Sequence, residues 1–435
     1  MTGSTALLTD HYELTMLQAA LAAGTAERRC VFELFSRSLP DGRRYGVLAG
    51  VGRALDALES FRFDEESLAA LDGVVDDRTL TWLASYRFSG DVHGYGEGET
   101  YFPGSPLLVV ESSFAEAVLL ETVLLSIYNH DSAIAAAASR MTRAAGARPC
   151  IEMGSRRTHE EAAVAAARAA YVAGFEATSN LAARHRWGVP STGTSAHSFT
   201  LLHDTESAAF RAQVDSLGVG TTLLVDTYDV AEAVRLGVEV AGPGLGAVRL
   251  DSGDLAVLAH QVRAQLDSLG AHETRIVVTS DLDEYAIASL AAAPVDGYGV
   301  GTQLVTGSGH PTCGMVYKLV AREGGDGRLE PVAKRSSKKA SYGGRKWAHR
   351  RIGADGLAEA EVVGTGEAPA PGEGARDLLR ELVRGGEVVG REPLADARAR
   401  HHASREELPL TAQSLGRGGP VLPTERVDAA STVRG

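Results

Sequence analysis

Cysteine is scarce in this chain. Cys30, Cys150 and Cys313 lie far apart and make no CxxC pair, which disfavours a disulfide framework and a cysteine-ligated zinc site. No structural metal is expected, and the cytoplasm is the natural compartment. Long apolar runs are missing too: Ala133-Ile134-Ala135-Ala136-Ala137-Ala138 falls far short of the roughly 18 residues that a membrane span needs. Met1-Thr2-Gly3-Ser4 has no basic region feeding a long apolar core, so no secretory signal is expected. Basic charge is in deficit: 43 Lys and Arg against 56 Asp and Glu give −13, the wrong sign for a global nucleic-acid footprint.

What is present fits packed domains. Apolar residues at 44% and charged residues at 23% of 435 are ordinary globular proportions, and no long disordered region is expected. The length predicts about three domains, or one large α/β barrel with additions. Against the acidic background, Lys334, Arg335, Lys338, Lys339, Arg345, Lys346, Arg350 and Arg351 crowd one segment. Such a cluster is either a solvated charged loop or a pocket for an anion.

Leu14 to Leu21 reads as a helix ending near Gly24, and Cys30 to Ser36 alternates like a strand. Residues 115–145 read as helix. A rhythm follows of short β-prone runs separated by helical stretches: 150–153, 187–191, 222–225, 247–250, 276–279 and 297–300. Their spacing is that of βα units and predicts a parallel α/β barrel, or failing that a doubly wound sheet. Residues 364–374 are Gly- and Pro-rich and read as a loop.

In a parallel barrel, chemistry collects at the carboxyl ends of the strands. There the sequence offers Gly154-Ser155-Arg156-Arg157, Gly193-Thr194-Ser195-Ala196-His197, Asp226-Thr227-Tyr228-Asp229, Arg249-Leu250-Asp251-Ser252-Gly253-Asp254, Ser280-Asp281-Leu282-Asp283 and Gly299-Val300-Gly301-Thr302. Each fragment alone has a plain reading: Asp254 and Asp283 suit helix N-caps, and the glycines suit turns. Together they supply arginine pairs for phosphate or carboxylate, carboxylates for Mg²⁺ and hydroxyls, a Gly-Thr turn and a histidine. The set suits a phosphorylated sugar with a divalent cation.

These fragments, with Leu8-Thr9-Asp10-His11-Tyr12-Glu13-Leu14-Thr15-Met16, Phe32-Glu33-Leu34-Phe35-Ser36-Arg37 and Glu152-x-Gly154-x-Arg156-Arg157, resemble the nicotinate phosphoribosyltransferases. The resemblance runs in order from about residue 5 to 351. It implies an irregular, TIM-like parallel α/β barrel with an N-terminal α/β domain and a C-terminal extension. The expected boundaries are 1–115, 116–330 for the barrel with the active site, and 331–435. It further implies a homodimer with shared active sites, making nicotinate mononucleotide and pyrophosphate from nicotinate and phosphoribosyl pyrophosphate, with Mg²⁺ and coupled ATP hydrolysis, in NAD salvage. Two departures stand out. A Pro-Gly-x-Lys segment of the family reads Tyr342-Gly343-Gly344-Arg345-Lys346 here, and no cysteine follows Cys313, so a C-terminal cysteine metal site found in some relatives is absent.

The reaction separates charge, positive on the ribose and negative on the leaving pyrophosphate, so it needs cations at one end and carboxylates at the other. Tyr12 matches the residue that reaches across the dimer to the base. Phe35, Arg37, Arg156, Arg157, Thr194 and Arg249 are expected at the substrates, and Asp251 at the ribose hydroxyls or Mg²⁺. Ser280, Gly301 and Thr302 are expected at the 5′-phosphate, and Lys334, Lys338 and Lys346 at pyrophosphate or ATP phosphates. His197 aligns with the histidine that ATP phosphorylates, with Asp226 orienting its other ring nitrogen. The competing readings are nicotinamide phosphoribosyltransferase, on the same fold, and a non-catalytic anion- or nucleic-acid-binding protein. The arginine pair favours the acid over the amide, and the net charge opposes nucleic acid. Quinolinate phosphoribosyltransferases are shorter and need no ATP.

Overall fold

Short apolar runs that are buried on both faces pair in parallel, and capped helices return the chain between them. In Gly297–Val300 every residue is buried, and in Ala247–Leu250 all but Arg249. Asp229, Asp254 and Asp283 accept bonds from the amides of Glu232, Val257 and Tyr285 at 2.8, 3.1 and 2.9 Å, each starting a helix as an N-cap worth about 1 kcal/mol. Asp254 and Asp283 thus serve the plain role that the sequence suggests.

The computed structural model describes residues 3–334 and 342–427. The chain divides into two compact units, Met1–Ala136 with His310–Gly435, and Ala137–Gly309. In the second, six parallel strands run in the order Ala177–Thr178, Cys150–Glu152, Gly297–Val300, Arg275–Ser280, Ala247–Leu250, Thr222–Leu224. The last strand in sequence pairs with the first, as in a barrel. The ring is open at one place, since no ladder joins Thr222–Leu224 to Ala177–Thr178 among the described residues. This half-barrel, not a closed barrel, is what the structure shows. The strand expected at 187–191 is also reduced: Trp187 ends the helix Leu181–Trp187, Gly188 caps it, and Ser191 makes a single bridge to Thr178.

The first unit is built on a seven-stranded sheet in the order Leu329–Pro331, Met315–Glu323, Arg29–Ser36, Leu108–Ser113, Asp91–Tyr95, Leu379–Arg384, Glu387–Val388. Arg29–Ser36 pairs antiparallel with Met315–Glu323, and Asp91–Tyr95 with Leu379–Arg384. The sheet thus takes strands from all three expected segments: Arg29–Ser36 from the first, Met315–Glu323 from the second and Leu379–Arg384 from the third. Pairing between strands so distant in sequence leaves no local signal. The helices His11–Ala23, Phe114–Val118 and Glu121–Ala145 lie where the periodicity places them.

Four described cations of the basic segment differ from either sequence reading. Lys346 pairs with Glu33 at 2.5 Å, both nearly buried; Arg345 pairs with Glu111 at 2.5 Å; Arg351 meets Glu425 at 2.7 Å. Arg350 and Glu361 meet at 2.8 Å with no exposure of either side chain. Glu361 also accepts from the hydroxyls of Tyr95 and Ser105. Burial pushes its carboxyl up, and Arg350 pulls it back. Glu33, Glu111 and Glu425 come from segments remote in sequence and Glu361 from the neighbouring antiparallel strand, so the buried pairs tie strands of the first unit together. Arg350→Met strands a buried carboxylate and should cost about 3–5 kcal/mol in denaturant unfolding, with Arg350→Met/Glu361→Leu recovering most of it. A single variant within about 1 kcal/mol of wild type would show that the pair contributes little.

Candidate active site

Close packing beneath the strand ends brings the loops of the second unit together. A Cβ on Gly299 would stand 2.5 Å from Thr279 Cγ2 and 2.8 Å from Met153 sulfur, and one on Gly154 would collide with Val305. Only glycine allows this approach at both places. Glu152, fully buried, accepts from the Gly154 amide and the Thr178 hydroxyl. It thereby fixes the turn that presents Arg156 and Arg157 to solvent.

The result is a cleft of about 260 Å³ lined by Met153, Arg156, Arg157, Arg249, Asp251, Thr279, Ser280, Asp281, Gly299, Gly301 and Thr302. Three guanidiniums and two carboxylates face one another there. Arg249 donates to the Thr194 hydroxyl and to the Ser195 carbonyl at 3.2 Å, and its Nη2 stands 3.8 Å from Asp251. Burial pulls its pKa below the usual arginine value, with Asp251 and Asp226 opposing and Arg156 adding to the shift. Its buried Nε–H has no hydrogen-bond partner among the described residues, which leaves a donor for a ligand.

Beside the cleft, Asp226 collects the loops. Its side chain is 3% exposed. Oδ1 lies 3.1 Å from His197 Nε2, and Oδ2 accepts from the Asp251 amide at 3.0 Å and the Ser252 hydroxyl at 2.7 Å. Asp251 in turn accepts from the Thr279 hydroxyl. His197 opens the helix His197–Leu202, and its ring is 42% exposed. With Nε2–H on Asp226, Nδ1 carries the lone pair. An imidazole held in this way can act as a nucleophile.

Of the residues that the sequence singles out, the structure brings Arg156, Arg157, Arg249, Asp251, Ser280, Gly301 and Thr302 into the cleft, with Thr194, Asp226 and His197 bonded to or around them. Tyr12, Phe35, Arg37, Lys334 and Lys346 belong to the first unit. Tyr12 is 44% exposed at the start of its helix, and partial burial, with Glu121, Glu13 and Asp10, pushes its hydroxyl up to about 12. Phe35 is buried in its strand, and Arg37 is exposed just beyond it. The Lys346 ammonium is held by Glu33 and the Tyr342 carbonyl. Lys338 lies outside the described residues. Sequence reasoning gave no role to Glu152, Ser252, Thr279 or Asp281, although Glu152, Ser252 and Asp281 lie within the quoted fragments and Thr279 beside one. Gly299→Ala should cost about 1–3 kcal/mol through overpacking, because Thr279, the anchor of Asp251, must move. Unchanged denaturant stability would show that the contact is slack.

Comparison with known proteins fits this geometry. The nicotinate phosphoribosyltransferase (NAPRTase) N-terminal domain family matches residues 7–129. The nicotinate phosphoribosyltransferase pncB1 of Mycobacterium tuberculosis is 57% identical over 432 residues, covering 97% of this chain and 95% of that protein. The Bacillus subtilis nicotinate phosphoribosyltransferase is 38% identical over 363 residues, 80% of this chain and 74% of its own. The crystal structure of human nicotinic acid phosphoribosyltransferase superposes with a TM-score of 0.83 at 27% identity, covering 97% of each chain. With a close relative along nearly its whole length, this chain belongs to the nicotinate phosphoribosyltransferase family.

Proposed function

We propose that the cleft transfers a phosphoribosyl group from phosphoribosyl pyrophosphate to nicotinate, releasing pyrophosphate in NAD salvage. The observation that carries this reading is the facing of Arg156, Arg157 and Arg249 with Asp251 and Asp281 across one cleft. Arginine forks suit the nicotinate carboxylate and the phosphates. The hydroxyls of Ser280 and Thr302 and the Gly301 backbone would take the 5′-phosphate. Asp251 would hold the ribose hydroxyls as positive charge develops on the ribose. Lys334 and, outside the described residues, Lys338 would meet the pyrophosphate.

Mg²⁺ fits this donor set. Among the described residues no group of three or more His, Cys, Asp or Glu could hold a metal, whereas Mg²⁺ characteristically takes one or two carboxylates plus substrate phosphates. Asp251 and Asp281 would supply the carboxylates. Bound there, the ion would neutralise charge on the pyrophosphate.

ATP coupling would run through His197. Nδ1 attacks the γ-phosphorus, the bond to the β,γ-bridging oxygen breaks, ADP leaves, and Asp226 holds the Nε2 proton throughout. Water later takes the phosphoryl group as inorganic phosphate. Tyr12 would stack on the base of the partner subunit in a homodimer. A cytoplasmic location accords with the chemistry, and no helix of the described residues is long and apolar enough to cross a membrane.

A mononucleotide assay with each base, with and without ATP, tests the reading. Nicotinate should turn over faster than nicotinamide, and ATP should stimulate it. Faster turnover of nicotinamide would overturn the assignment of the base, and salt-dependent DNA binding without turnover would overturn the enzyme.

A further inference from the structure

Two loops carry the phosphate side of the cleft, one with Ser280 and Asp281 and one with Gly301 and Thr302. A buried carboxylate, Glu284, lies just downstream of the first and bonds Ser308, just downstream of the second. Glu284, in the first turn of the helix Glu284–Ser289, is 2% exposed. Its Oε1 accepts from Arg140 Nε at 2.9 Å, and its Oε2 accepts from the Ser308 hydroxyl at 2.7 Å. Arg140, on the helix Glu121–Ala145, also donates to the Tyr285 hydroxyl at 3.2 Å. The Ser308–Glu284 hydrogen bond therefore joins the chain that leaves the first loop to the chain that leaves the second, and the ion pair with Arg140 anchors that carboxylate.

The backbone indicates that this junction is under constraint. Among the described residues, Ser280 and Ser308 are the non-glycine residues with positive φ, at 153° and 51°. Ser308 stands between Gly307 and Gly309, at 63° and 82°, so three successive left-handed residues reverse the chain after the helix Thr302–Val305. The Ser308 amide donates to the Gln303 carbonyl at 2.6 Å. A serine persists in such a conformation where its surroundings over-determine it, and the bond to Glu284 is one of those constraints. At the cleft itself the two loops meet through the Thr302 hydroxyl and Asp281 at 3.4 Å. They are joined at the surface and again beneath it.

We propose that Glu284 is a positioning residue that, through Arg140 and Ser308, fixes the spacing of the two phosphate-side loops and so sets affinity for the phosphorylated substrate. The inference rests on the reading of the cleft as the phosphoribosyl pyrophosphate site. Replacing Glu284 would take a carboxylate partner from the buried Arg140 and threaten folding, so the discriminating variants are at Ser308. Ser308→Ala deletes one donor and keeps the ion pair. Ser308→Asn keeps a donor and tolerates the left-handed region.

The experiment is calorimetric titration of the full chain with phosphoribosyl pyrophosphate, alongside KM for both substrates, kcat and the melting temperature. Ser308→Ala should weaken phosphoribosyl pyrophosphate binding about tenfold, as expected for losing a hydrogen bond to a charged acceptor, with kcat and the nicotinate KM within about twofold of wild type. Ser308→Asn should recover most of the affinity. A folded Ser308→Ala protein with wild-type affinity overturns the inference, as does one whose nicotinate KM rises in parallel. Wild type that binds phosphoribosyl pyrophosphate yet makes no mononucleotide refutes the functional reading alone, and the inference is then judged on affinity. Wild type that binds none refutes both.

Discussion

The Asp226 carboxylate is almost out of water, yet it must keep its charge satisfied. A buried carboxylate is costly unless donors surround it, and here the donors come from separate loops: the His197 ring at 3.1 Å, the Asp251 amide at 3.0 Å and the Ser252 hydroxyl at 2.7 Å. Satisfying one charge forces the loop before His197 and the loop after Arg249 to converge on the strand end at Asp226. Arg249, clasping Thr194 and Ser195, closes the same loop from the other side. The orientation of His197 is thus a consequence of folding, settled before any ligand arrives.

Charge in the rest of the chain follows a contrasting rule. In the first unit, cations meet carboxylates at close range: Lys346 with Glu33, Arg350 with Glu361, and Arg376 with Glu99 at 2.8 Å. Such pairs specify which strands associate, but they have little left to offer a ligand. In the cleft, Arg156 and Arg157 are exposed, and Arg249 keeps a donor unclaimed. An arginine that serves the fold differs from one available for chemistry in where its carboxylate sits. Composition cannot reveal that.

This explains what could be read from the sequence. Strand ends announced themselves because β-prone runs stop at Gly, Asp, Ser and Thr clusters, and ten expected site residues do gather in or around the cleft. The helix caps at Asp254 and Asp283 were equally legible, since capping is local. Three features were not. The strand expected at 187–191 failed because a helix ending at Trp187 uses most of that run. The shared sheet of the first unit depends on pairings such as Asp91–Tyr95 with Leu379–Arg384, which no local pattern encodes. The basic segment reads as a solvated loop or an anion pocket because the partners of Lys346 and Arg350 lie on other strands. Glu152 and Thr279 were missed for a related reason: they act by holding neighbours.

The proposed phosphoryl transfer to His197, with Asp226 orienting the ring, is tested most directly by labelling with γ-phosphate-labelled ATP. Wild type should take up acid-labile label on His197, and His197→Ala should take up none. The variant should also lose ATP hydrolysis and its stimulation of mononucleotide synthesis, while slow ATP-independent transfer persists. A His197→Ala protein that keeps full nicotinate-stimulated ATP hydrolysis would contradict the account and leave the histidine a structural residue.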